Sequence, residues 1–266
     1  MMYLVMSIIL AAAAPAAPAV PAAATDQKAA ATPKAEAAPK AAPDAKADTP
    51  PAPAKPAFEP TSNYTLQDVE GWKIYVHNRL LNEQKDLGEQ ALKELRMHLY
   101  HVTRRLPPRA VEKLRTVRIW VEADNPKVVC ACYHPSRGWL EAHDFNPEKA
   151  KSIEIGNPKH FLDWTHHQFA MVLHELAHAY HHQFLGYDDP DIKAAYKQAM
   201  EAKLYDSVLL YKGTKTRAYA ANNDQEYFAE LTEAWFGTND FYPFVRAEVK
   251  EHDPRMAEVL KKVWEK

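Results

Sequence analysis

Apolar and polar residues alternate along YTLQDVEGWKIYVHNRLL, with one break at Gly71. A period of two places successive side chains on opposite faces of a strand, so this stretch predicts two short strands joined at the glycine. The same kind of pattern in TVRIWVEA, VVCACY and KSIEIG predicts three further strands.

A different period appears in NEQKDLGEQALKELRMHLYHVTRRL. Its apolar residues stand at positions 87, 91, 92, 95, 99 and 102, which form one stripe of a helix that ends before Pro107 and Pro108. Strands mixed with one long helix, followed by helices only, predict an α+β fold. We expect a lobe of a small mixed sheet and a helix, followed by a helical lobe.

The stretch from Thr165 to Gly186 has the pattern of an amphipathic helix. Thr165 and Gln168 form a capping-box pair, and Gly186 suits the position after the last turn. Apolar residues recur at spacings of three and four, which predicts one helix of about twenty residues with one buried stripe. The members of that stripe are Phe169, Leu173, Leu176, Tyr180 and Phe184.

Three more elements are predicted downstream. Asp189 before Pro190 is typical of a helix start. VLLYKGTKTRAYA predicts a hairpin that turns at Lys212-Gly213. YAANNDQEYFAELTEAWFG then predicts a helix that either Asn222 or Asn223 can cap.

Composition separates residues 1–57 from the rest of the 266-residue chain, because they hold 10 of its 20 prolines and only one aromatic residue. Residues 1–24 combine a short apolar run with small residues before Thr25, which predicts an export signal that is either cleaved there or kept as an anchor. Residues 25–57 are rich in Ala, Pro and Lys and predict an extended tether to the cell envelope, or a simple disordered leader. The folded domain is expected over residues 58–266.

Charge excludes one class of partner. The formal net charge is -2, and acidic and basic residues are interspersed. Nucleic-acid binding needs a basic stripe or patch, so we expect no nucleic-acid partner.

The chemistry of the chain centres on His174, Glu175 and His178, an HExxH motif within the helix predicted over residues 165–185. Histidines four apart project from one helix face and can bind a single metal ion. Glu175 lies one step round the helix, where it can act as general base on a metal-bound water. His181 and His182 are expected to support a ligand or lie on the surface. The longer motif HExxHxxGxxH is excluded, because His181 and Phe184 stand at its Gly and His positions.

The third ligand is expected downstream. Glu226, Glu230 and Glu233 are spaced four and three, on one face of the predicted helix. One carboxylate would complete a His-His-Glu site and leave a fourth position for water, and another could accept the free N–H of a ligand histidine. Spacing does not decide between Glu226 and Glu230 as the ligand.

Cys130 and Cys132 are the only cysteines. On one strand face their Cα atoms would stand too far apart for a mutual disulfide. His134 would share that face, which makes a Cys-x-Cys-x-His metal site conceivable. We expect instead a pair of buried small residues.

HELAH, followed by Tyr219 seven residues before EYFAE, resembles the catalytic domain of anthrax lethal factor and its relatives, which are zinc metallopeptidases. The resemblance covers about residues 165–245, and YHPSRGWL and FNPEKA are similar to segments of exported bacterial proteins. It implies a zincin-like fold, Zn²⁺ bound by His174, His178 and Glu226, support from Glu230, and a Tyr219 side chain that faces the active site.

The expectation is therefore an exported zinc peptidase, periplasmic, envelope-associated or secreted, that acts on a peptide or protein. Glu175 and Tyr219 would be its catalytic residues. For Tyr219 the other interpretation is a packed core tyrosine. For the whole chain it is a non-catalytic metal-binding protein, or a wall-associated binding protein on a peptidase-like fold.

Overall fold

A five-stranded mixed sheet forms one layer of the computed structural model, which describes residues 58–265. The strand order is β1-β2-β3-β5-β4, with β2, β3 and β5 parallel and β1 and β4 antiparallel at the two edges. The strands are β1 (Tyr64–Val69), β2 (Trp72–His77), β3 (Ile119–Val121), β4 (Ala131–His134) and β5 (Ser152–Ile155). The α+β class is thus confirmed. The signal and tether predicted for residues 1–57 lie outside the described residues.

Helices make up most of the remainder of residues 58–265. The α-helices are α1 (Asn78–Leu81), α2 (Lys85–Arg105), α3 (Pro108–Leu114), α4 (Arg137–Ala142), α5 (Pro158–Trp164), α6 (Met171–Tyr180), α7 (Pro190–Glu201), α8 (Asp224–Phe236), α9 (Arg246–His252) and α10 (Pro254–Trp264). A two-stranded hairpin of β6 (Val208–Leu209) and β7 (Lys215–Thr216) lies between α7 and α8. None of the described helices is both long enough and apolar enough to cross a membrane.

Several local predictions are confirmed. The β1-β2 turn has positive φ at both Glu70 (53°) and Gly71 (88°), which suits the right-handed twist of a two-residue hairpin. The long helix ends at Arg105, before the two prolines. The second hairpin turns through Gly213, and Asp189 caps α7 by accepting hydrogen bonds from the amides of its first turn.

The prediction of one helix from Thr165 to Leu185 is wrong. Asn157 caps a separate helix, α5, which ends at Trp164 with Thr165 as its C-cap, and α6 begins only at Met171. The signal that the prediction missed is Asn157 before Pro158, a stronger start than the Thr165 pair. Phe169, placed in the buried stripe, is 44% exposed because it lies in the connection. The end at Gly186 is confirmed, with a φ of 86° after a π-helical turn over residues 181–185.

The helix α6 is the centre of the molecule. It packs on β4 and β5 of the sheet on one side and on α8 on the other. One continuous hydrophobic core includes residues of the sheet, α6, α8 and α10. The HExxH motif is therefore held between the edge of the sheet and the helix that carries the downstream glutamates.

Candidate metal centre

Three side chains from two helices converge on one point. His174 and His178 lie one turn apart on α6, and Glu226 faces them from the first turn of α8. The two Nε2 atoms are 3.0 Å apart, and Glu226 Oε2 is 3.1 Å from His174 Nε2 and 3.2 Å from His178 Nε2. Two nitrogens bound to one tetrahedral zinc ion stand about 3.3 Å apart, so this donor set fits a single ion.

Glu226 is placed by the cap of its helix. The Asn223 side chain accepts hydrogen bonds from the amides of Gln225 and Glu226, at 3.0 and 2.8 Å. Of the two asparagines that the sequence left open, Asn223 is therefore the cap, and Glu226 lies in the first turn. Burial by itself raises the pKa of the Glu226 carboxyl, but the rings of His178 and His174 hold that pKa well below its usual range.

The hydrogen bond that orients His174 comes from Glu233. Its Oε1 is 2.6 Å from His174 Nδ1, whereas Glu230 Oε1 is 3.7 Å from the same nitrogen. A helix turns by about 100° per residue, so Glu233, seven positions after Glu226, lies about 20° from it, and Glu230 about 40°. With Nδ1–H donated to Glu233, the Nε2 lone pair of His174 points at the cluster. The structure thus gives this bond to Glu233, not to the expected Glu230.

Glu175 lies beside the ligand cluster without joining it. Its side chain is buried, and the helix α6 that carries it packs on the edge strand β4. Burial raises the pKa of Glu175 above its ordinary value, against the opposing effect of His174 and His178. A carboxylate in such a setting holds a proton more readily than one in water.

Tyr219 lies on the other side of the cluster, in a 3₁₀ turn over Tyr219–Ala221. Its Oη is 3.4 Å from Glu226 Oε1, and its ring centre is 6.3 Å from that of His174. The residue is only partly buried and lines the same pocket as His174 and Glu226.

These groups line one cleft between β4 and α6, which we call the HExxH cleft. Its volume is about 770 Å³ including the open mouth. His174, His178, Glu226, Glu175 and Tyr219 all contribute to its surface. Tyr187 also lines it, and the sequence pattern did not single that residue out.

The two histidines that follow α6, in the π-helical turn, point elsewhere. His181 is fully buried between the rings of Tyr187 and Phe228, and neither of its ring nitrogens has a hydrogen-bond partner within residues 58–265. Burial lowers its pKa to about 3. His181 is therefore a core residue, contrary to expectation. His182 Nδ1 lies 2.8 Å from Tyr133 Oη.

The cysteines form no disulfide, as expected. Cys130 is buried just before β4, with its Sγ 3.5 Å from Met171 Sδ. Cys132 is only partly buried and lies on β4, with its Sγ 3.5 Å from His134 Nε2. The two cysteines thus have different surroundings, and only Cys130 is the buried small residue that was expected.

Comparisons of the chain with protein-family models, with curated proteins and with solved structures found no match.

Proposed function

We propose that this chain is a zinc-dependent peptidase with a zincin-like fold. The observation that carries the proposal is the convergence of His174, His178 and Glu226 within 3.2 Å of one another, with Glu175 next to the first ligand on the same helix. Two histidines and a carboxylate with a free fourth position are the ligand set of catalytic zinc.

Each protein group has a distinct task in this proposal. When bound, Zn²⁺ would polarise the substrate carbonyl and lower the pKa of the attacking water. Glu175 accepts the proton of that water and passes it to the leaving amine, for which a raised carboxyl pKa is favourable. Glu233 holds His174 in the tautomer that presents Nε2.

The substrate class follows from this chemistry and from the form of the cleft. The cleft is open to solvent, so a peptide segment can reach the His174 cluster. We propose that the substrate is a peptide or protein that this chain encounters after its export. Metal analysis of purified protein together with a peptide-library cleavage profile tests the proposal. A protein that carries zinc stoichiometrically and cleaves no library member would instead be a metal-binding protein.

Tyr219 is proposed to donate a hydrogen bond to the oxygen of the attacked carbonyl as negative charge develops there. Tyr219→Phe keeps the ring and removes only the donor. We expect an unchanged zinc content and a turnover number lower by roughly 10²–10³, as for the loss of one oxyanion donor. Steady-state kinetics on the best library peptide measure this effect.

Tyr100→Phe is the matched control, because Tyr100 is 48% exposed and lies on α2, away from the cleft. Its turnover number should equal that of the unmodified protein. An unchanged turnover number in Tyr219→Phe as well would show that Tyr219 serves packing only.

The roles of Glu230 and Glu233, both buried in α8, can be separated by zinc affinity. Glu233→Gln removes the charge that holds His174 Nδ1 at 2.6 Å, so we expect zinc to bind roughly 10–100-fold more weakly. Glu230→Gln, with its oxygen 3.7 Å from that nitrogen, should lose less. Competition with a chromophoric chelator gives both affinities, and Glu226→Ala, which removes a ligand, should lose more than either. If Glu230→Gln lost more zinc affinity than Glu233→Gln, Glu230 would be the residue that orients His174.

A further inference from the structure

A second group of metal-ligating side chains lies between β4 and β5. Cys132 and Glu154 are direct cross-strand partners in the antiparallel ladder, and His134 follows Cys132 by two positions on the same strand. Side chains two apart on a strand share a face, and cross-strand partners stand side by side on it. The register of the two strands therefore brings a thiol, an imidazole and a carboxylate together.

The distances fit a metal ion bound by sulfur and nitrogen. Cys132 Sγ is 3.5 Å from His134 Nε2, and His134 Nε2 is 2.6 Å from Glu154 Oε2. A sulfur and a nitrogen bound to one tetrahedral zinc ion stand about 3.5 Å apart, and a nitrogen and an oxygen about 3.3 Å. The sulfur–nitrogen pair already has that spacing, and the carboxylate oxygen needs to withdraw by about 0.7 Å.

The carboxylate is held in a way that leaves one oxygen for a ligand role. Glu154 Oε1 accepts hydrogen bonds from Asn125 Nδ2 at 2.6 Å and from Lys149 Nζ at 2.8 Å, whereas Oε2 faces His134. A ligand carboxylate whose second oxygen is hydrogen-bonded is the usual arrangement around protein-bound metals.

Charge balance also favours a cation here. Lys149 lies between two buried carboxyls, Glu122 and Glu154, so the group lacks one positive charge when both are ionised and the His134 ring beside Glu154 is neutral. A divalent cation together with a Cys132 thiolate adds one net positive charge and makes the group neutral. Buried charges that remain uncompensated are costly, so this balance stabilises the bound state.

We propose that Cys132, His134 and Glu154 form a second metal site, selective for a thiophilic divalent cation such as Zn²⁺. Cys132 is only partly buried and lies on an edge strand, which gives an ion access to the site. The ion tethers the edge strand β4 to β5, and β4 packs on α6, the helix that carries Glu175. The site is separate from the His174 cluster and does not depend on any hydrolytic activity.

Cobalt provides the test, because a cobalt–thiolate bond gives a charge-transfer band in the near ultraviolet, which imidazole and carboxylate ligands do not. Metal-free protein titrated with Co²⁺ should show this band and bind about two equivalents per chain. Cys132→Ser should lose the band and one equivalent. Cys130→Ser is the matched control and should keep both, since Cys130 contacts Met171 instead.

His174→Ala should keep the band and lose the other equivalent, which separates the two sites. In the unmutated protein, zinc should protect Cys132 from alkylation by iodoacetamide, as located by mass spectrometry, and a chelator should remove the protection. This second measurement needs no variant to fold. A band that is absent from the unmutated protein or survives Cys132→Ser, or alkylation that zinc does not slow, would overturn the proposal.

Discussion

Glu175→Gln is expected to lower the turnover number of peptide hydrolysis by roughly 10²–10⁴ while zinc remains bound, since positioned acid–base groups contribute that much. Glutamine keeps the size and the hydrogen-bond acceptor of Glu175 but cannot take up a proton. The zinc content should not change, because the ligand atoms belong to His174, His178 and Glu226 and converge without Glu175.

Glu112→Gln controls for the chemical change itself, because Glu112 is an exposed residue of α3. Its kinetics and zinc content should match those of the unmodified protein. A Glu175→Gln protein that hydrolyses peptides at the original rate would rule out the proposed mechanism. One that loses its zinc would show that Glu175 supports the metal rather than the proton transfer.

Lys149→Met is expected to cause the second large effect, a loss of stability. The Lys149 ammonium lies between Glu122 and Glu154, and all three side chains are at most 4% exposed. Burial by itself raises the pKa of Glu154, but the His134 hydrogen bond and Lys149 hold it below its usual value. Removing one partner of a buried ion pair leaves an uncompensated charge, so we expect a loss of about 3–5 kcal/mol in the free energy of unfolding.

Guanidinium unfolding of metal-free protein measures this loss without a contribution from bound zinc. Lys197→Met is the matched control: Lys197 is 77% exposed and its nitrogen is 3.8 Å from Glu201, so its loss should change stability by at most about 0.5 kcal/mol. An equally small effect of Lys149→Met would mean that the buried carboxyls are neutral in the folded protein.

The pH dependence of the same variant gives an independent check. Burial already raises the pKa of Glu122 despite Lys149, and without Lys149 the folded-state pKa values of Glu122 and Glu154 should both increase and lie above those of the unfolded chain. Stability of such groups is present below the unfolded pKa and is lost as the pH rises through the folded pKa. The loss in the free energy of unfolding caused by Lys149→Met should therefore become smaller as the pH is lowered toward the unfolded carboxyl pKa. A loss in the free energy of unfolding that does not change with pH would indicate lost packing instead.

Local structure was largely predictable because the decisive residues lie within a few positions of one another. The alternation around Gly71 and the stripe that ends before Pro107 correspond to β1, β2 and α2. The error at Thr165 had a local cause as well, since the cap at Asn157 was overlooked. The continuous apolar pattern across residues 165–185 did not reveal that the chain turns before Met171.

The sequence by itself determined the face of α6 that carries the candidate ligands, because a spacing of four places His174 and His178 one turn apart whatever surrounds them. It also narrowed the third ligand to the glutamates of α8. Only the tertiary structure decided how α8 crosses α6, and hence that Glu226 meets both histidines while Glu233 reaches Nδ1 of His174. The tertiary structure also decided that Cys132 pairs with Glu154 across β4 and β5. These contacts join residues that stand far apart in the chain, and packing between elements, which no local spacing encodes, sets their distances.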